Sequence, residues 1–181
     1  MKTRLLSLLC LLALAVSTVS AAVVELTSET GEVMLQDGDE LTGTGGRDVR
    51  VRVAAGAMVT LNGVRISSIP DDSQHNWSGI TCLGDATLVL AEGSTNVVRG
   101  GSFERSAITV AAGSTLTITG KGTLRAYGTS GGTSLRGSCA IGAGVGETCG
   151  NIVIEDGMVI ANGGNHSAGI GTSTVANVSL S

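Results

Sequence analysis

Residues 107–128 read AITVAAGSTLTITGKGTLRAYG. Three alternating runs, Ile108-Thr109-Val110, Leu116-Thr117-Ile118 and Leu124-Arg125-Ala126, are separated by Gly113 and then by Gly120 and Gly122. Apolar/polar alternation with period two marks a strand with one buried face. Glycine at the corners admits the positive φ that a sharp bend needs. Three strands and two bends in so short a span fit either a hairpin meander or one coil of a solenoid. Recurrence at a long period separates the two.

The pattern recurs. The second run aligns with Val33/Leu35, Val59/Leu61, Leu88/Leu90, Ile152/Ile154 and Val178/Leu180. The first aligns with Val24/Leu26, Val51/Val53, Ile80/Cys82, Ile141/Ala143 and Ile170. The third is looser, through Leu41, Val64/Ile66, Val97 and Val159/Ala161. The spacing is roughly 30 residues, the signature of stacked repeats. The fold this predicts is all-β: a right-handed parallel β-helix with three strands per coil, filling one domain over residues 22–181. A lone coil leaves its backbone N–H and C=O groups unpaired; stacking coils at ~4.8 Å pairs them and builds apolar ladders inside. The rival, an antiparallel sandwich, requires two-residue hairpin turns and no long-range register. Val178 and Leu180 open a strand just before Ser181. The last coil is therefore expected to be incomplete, as in a truncated copy of a longer protein. An open coil is also an edge through which two copies could associate end to end.

The stretch from Met1 to Ala21 has the form of a secretory signal peptide. Lys2 and Arg4 precede an apolar run from Leu5 to Val16, and Val19-Ser20-Ala21 is a small-residue cleavage site. That run is too short to span a bilayer, so the mature chain is expected outside the cytoplasm, secreted or at the cell surface, with no transmembrane segment. Without Lys2 and Arg4, nine basic side chains face fifteen acidic ones. This balance argues against nucleic acid as a partner. With 28 glycines, one proline and one each of Trp, Tyr and Phe, the core must come from Val, Ile, Leu and Ala.

The extra residues of the longer coils fall between a third strand and the next first strand: Ser67–Ser78, Arg99–Ser106, Gly128–Cys139 and Gly163–Ser167. Stacked insertions of this kind line one edge of a solenoid, the usual place for binding. Asp71, Asp72, His75, Trp77, Phe103 and Arg105 lie in these loops and are the candidate ligand-binding residues, with Glu104, Arg136 and His166 nearby. The plainer account of the same loops is that they cover a sheet edge.

Catalytic patterns are weak. Gly142-Ala143-Gly144-Val145-Gly146 is followed by strand-like Asn151-Ile152-Val153-Ile154 rather than a helix, so it fails as a phosphate loop. Two histidines, His75 and His166, give a Ser-His-Asp triad little material. The outward first-strand positions Glu25, Arg52, Thr81, Thr109 and Gly142 cluster neither acids nor bases as a lyase would need. Cys82 reads as a buried small hydrophobe. Cys139 and Cys149 flank a glycine-rich loop and, in an exported chain, could form a disulfide. A zinc site from Cys139, Cys149 and His166 matches no structural zinc spacing.

Cys149-Gly150-Asn151-Ile152-Val153-Ile154, Gly157 to Gly164 (GMVIANGG) and Ala168-Gly169-Ile170-Gly171 resemble a repeat of secreted and surface proteins of gut bacteria, chiefly the Bacteroides group. Residues 77–87 (WSGITCLGDAT) and 112–118 (AGSTLTI) are similar to the preceding coils of those proteins. The resemblance implies a parallel β-helix of the kind labelled carbohydrate-binding, with calcium and acidic polysaccharides implied for some members. It maps no binding residue onto this chain. The leading functional expectation is a non-catalytic, adhesin-like binder of polysaccharide or cell-surface glycan along the loop edge, without a cofactor. The alternatives are a fragment of a polysaccharide lyase or hydrolase with its catalytic coils beyond residue 181, and a structural stalk or spacer.

Overall fold

The computed structural model describes residues 20–28, 31–67, 69, 74–101, 104–130 and 137–172. Nearly all of the expected signal peptide and the Val178/Leu180 strand lie outside the described residues. So do Asp71, Asp72, Phe103 and Arg136.

Fifteen short strands follow one another with no α-helix between them among the described residues: β1 (Val23–Glu25), β2 (Gly31–Leu35), β3 (Glu40–Thr44), β4 (Val49–Val53), β5 (Met58–Ile66), β6 (Ile80–Cys82), β7 (Ala86–Leu90), β8 (Thr95–Arg99), β9 (Ile108–Val110), β10 (Thr115–Gly120), β11 (Thr123–Tyr127), β12 (Ile141–Gly142), β13 (Asn151–Ile154), β14 (Met158–Asn162) and β15 (Ile170–Gly171). Every pairing is parallel. The hairpin meander and the antiparallel sandwich are thereby excluded, and the architecture is all-β and solenoid-like.

One sheet stacks β2-β4-β6-β9-β12-β15. Here the column expected from the sequence holds from Val51 on: Val51↔Ile80↔Ile108↔Ile141↔Ile170, with Val53↔Cys82↔Val110 beside it. The other sheet has nine strands and divides at β5. Met58–Leu61 pairs with β7, which leads to β10 and β13; Arg65–Ile66 pairs with β8, which leads to β11 and β14. Gly63, between the two halves of β5, has φ of 72° and no atom within 4 Å of an added Cβ. The bend needs its backbone freedom, not its small size.

Three alignments made on the sequence are corrected. Val33/Leu35 pairs with Val51/Val53 and so belongs to the first column, while Val24 pairs with Leu41, and Leu41 with Leu61. The first coil has no long loop, and the chain returns from Val33 to Val51 in a shorter step than any later coil takes. A constant period therefore displaced it by one strand. Leu88 pairs with Ile118, and Leu116 with Ala86, a slip of two positions that alternation cannot detect because it keeps every side chain on the same face. In β8 Val98 is fully buried and pairs with Ile66 and Ala126, whereas Val97 pairs with Arg65 and Arg125 on the outer face.

The inward residues form one core running through the coils. Each buried Val, Leu or Ile stabilises it by roughly 1.5–3 kcal/mol. Asn96 is fully buried in line with Leu124 and Val159. Its Oδ1 accepts from Val64 N–H (3.0 Å), and its Nδ2 donates to Ser94 Oγ (3.0 Å) and Thr123 O (3.2 Å). A polar group is tolerated there because these bonds replace the water it gave up.

Candidate functional site

The loop edge is built by contacts between successive coils. Asp48, just before β4, carries an Oδ1 that lies 2.9 Å from His75 Nε2. The Trp77 Nε1–H donates to Val49 O at 2.9 Å, laying the indole across the start of β4. Arg50 completes the cluster, its guanidinium carbon 4.0 Å from the Trp77 ring centroid. The His75 and Trp77 rings meet at 5.0 Å and 52°. His75 is only 6% exposed, so its ring serves the packing of this edge.

One coil further on, Arg105 links three loops. Its Nε donates to Asn76 Oδ1 at 2.8 Å, and its terminal NH1 to Glu147 Oε1 at 2.7 Å. The other Glu147 oxygen accepts from Gly144 N–H at 3.1 Å. The Arg105 and Glu147 side chains remain 31% and 45% exposed. The result is a braced polar ridge whose outer atoms still face solvent.

Beneath the ridge, a serine stands just ahead of each of the four first-column strands β6, β9, β12 and β15. Ser106 Oγ donates to Ala143 O (2.8 Å), and Ser138 Oγ to Arg105 O (2.7 Å) while accepting from Thr129 N–H (2.9 Å). Ser78 Oγ meets Thr109 Oγ1, and Ser167 Oγ donates to Gly137 O. These bonds tie each loop base to a neighbouring coil. Ser78, Ser106, Ser138 and Ser167 precede Ile80, Ile108, Ile141 and Ile170 by two or three positions; the spacing is visible in the chain and was missed.

Cys82, Cys139 and Cys149 are free thiols in this structure. Cys82 lies within the first-column ladder, and burial pushes its thiol up to about 12. Burial also raises Cys139, partly offset by its hydrogen bond with Ser106. Cys149 is held at about 11, by burial first and then by the charge of the nearby Cys139. None of these three thiols is activated as a nucleophile. Among the described residues no three His, Cys, Asp or Glu side chains stand where they could hold a metal ion, so Cys139, Cys149 and His166 do not form a zinc set. No helix among them is long and apolar enough to cross a membrane.

Of the six candidate binding residues, His75, Trp77 and Arg105 are thus brought to one edge, and Asp71, Asp72 and Phe103 lie outside the described residues. The partners Asp48, Arg50, Asn76 and Glu147 were not anticipated. Each is contributed by a different loop or coil from the residue it braces. No family model, no curated protein and no solved structure matches the chain.

Proposed function

We propose that the chain is a right-handed parallel β-helix with three strands per coil, exported after cleavage behind Ala21, that binds a polysaccharide or cell-surface glycan along the loop edge without catalysis. The handedness follows the strong rule for crossovers between parallel strands of one sheet. The observation that carries the binding role is the Asn76–Arg105–Glu147 bracing. It holds donors and acceptors of three loops in fixed positions before any ligand arrives. Such preorganisation reduces the ordering cost of binding a hydroxyl-rich polymer. The test is a glycan array and a mucin-adherence assay with the mature protein, alongside Arg105→Ala. Binding that falls in the variant supports the reading, and a blank array with no adherence to mucin ends it.

A further inference from the structure

The third column presents a different surface. On its outer side Arg65, Val97 and Arg125 occupy one register position in β5, β8 and β11, and Arg99 and Tyr127 the next outward one. Strand spacing puts the Cα atoms of Arg65 and Arg125 about 9–10 Å apart, with Arg99 about 6–7 Å along the strand lying between them. All three arginines are exposed. None makes an ion pair or side-chain hydrogen bond with any described residue; Arg99 is steadied by the Tyr127 ring, 4.5 Å from its guanidinium carbon. Arg50, Arg52 and Arg105, by contrast, are each engaged with an aromatic ring or a carboxylate.

We propose that Arg65, Arg99 and Arg125 form a binding face for a linear anionic glycan, a chain of uronate or sulfated sugars. The strands β5, β8, β11 and β14 put no carboxylate on this face. Glu92 and Asp156 sit in the bends before β8 and β14, at the far end of those strands from Arg99. Guanidinium groups in a rigid array pair well with carboxylate or sulfate oxygens. The strip is narrow, and the rest of the chain is net acidic. A slim polymer with its charges in a row can follow the arginines, whereas a broad polyanion would be repelled by the flanks. Arg99 closes β8 where the loop edge begins, so the two surfaces adjoin. The inference rests on the glycan-binding reading for its class of ligand, and on the arginines for the charge of that ligand and the place where it lies.

The experiment compares the mature protein, the triple variant Arg65→Ser/Arg99→Ser/Arg125→Ser and Arg105→Ala, matched by circular dichroism and melting midpoint. Each is titrated with polygalacturonate, dextran sulfate, neutral dextran and oligothymidylate at low salt and at about 0.15 M, where charges are screened beyond about 8 Å. The expected result is salt-sensitive binding of one or both anionic glycans, weakened about tenfold or more in the triple variant and weakened less by Arg105→Ala. Preference for polygalacturonate would assign a carboxylate ligand, and preference for dextran sulfate a sulfate one. Undiminished binding by the triple variant, equal binding of neutral dextran, or tighter binding of oligothymidylate overturns the inference. Loss confined to Arg105→Ala overturns it and leaves the loop-edge reading standing. No glycan binding at all overturns both.

Discussion

The guanidinium of Arg50 lies over the ring of Trp77, 4.0 Å from its centroid, although a whole coil of chain separates them. The contact clamps the first long loop onto the coil below it, beside the bond from the indole to Val49 O. A partly exposed cation–π pair is worth about 0.5–1 kcal/mol. Arg50→Ala should therefore lower the melting midpoint by about 2 °C for a chain of this size. Trp77 is the only tryptophan, so its emission should also move to longer wavelength as the ring gains water. An unchanged midpoint and spectrum would show that the stack contributes nothing.

Gly93 and Gly120 separate the two demands a bend can make. Both have positive φ, 73° and 94°. A Cβ on Gly93 meets nothing within 4 Å, whereas one on Gly120 would run into the Leu90 backbone, whose nitrogen lies 2.8 Å away. Gly93→Ala should cost about 1 kcal/mol of backbone strain. Gly120→Ala should cost several times more, because β7 and β10 must move apart. Urea midpoints of the two variants would order them; equal losses would contradict the close approach.

Removing Asn96 should matter more than its size suggests. Asn96→Leu keeps the branched shape but takes away the acceptor of the Val64 N–H and the donor to the Thr123 carbonyl. A buried donor left unpaired costs about 1–3 kcal/mol. Denaturant unfolding should register that loss, and hydrogen exchange at the Val64 amide should quicken. Protection equal to that of the unmodified protein would count against the assigned bond.

The Cys82 thiol gives the fold an alkaline limit. Its folded value of about 12 lies above the ordinary 9.0. Below pH 9 both states keep the proton and stability does not depend on this group. Between pH 9 and about 12 the unfolded chain loses its proton first, so the folded state loses stability as pH rises, by up to about 4 kcal/mol. Cys82→Ala should flatten that slope while costing some packing at every pH. In an oxidising medium Cys139 and Cys149 are expected to join, and a non-reducing peptide map would show the linked pair. Two free thiols there would end that expectation.

Strand positions from Val51 onward were legible because the inward ladder repeats Val, Ile and Leu at a nearly constant step. The first coil was not, since its shortness removed the period on which the alignment leaned. The slip between Leu88 and Leu116 and the inversion of Val97 and Val98 share one cause. A period of two identifies faces but not register, and two adjacent valines do not say which of them is inside. At the loop edge, the location of the site could be read from where the coils lengthen. Its partners could not, because Asp48, Arg50 and Glu147 meet His75, Trp77 and Arg105 only after coils are stacked in the right order. The same holds for Arg65, Arg99 and Arg125. They become a single face only when Val97 is turned outward.

The shortest step along the first column runs from Val33 to Val51 and the longest from Ile108 to Ile141, with Cα pairing kept throughout. The cross-section is thus indifferent to how much chain is spent between β11 and β12. Doubling a surface loop costs only about 0.6 kcal/mol in closure entropy. That position is accordingly a graft point, where a foreign peptide could be displayed outside the strand ladders.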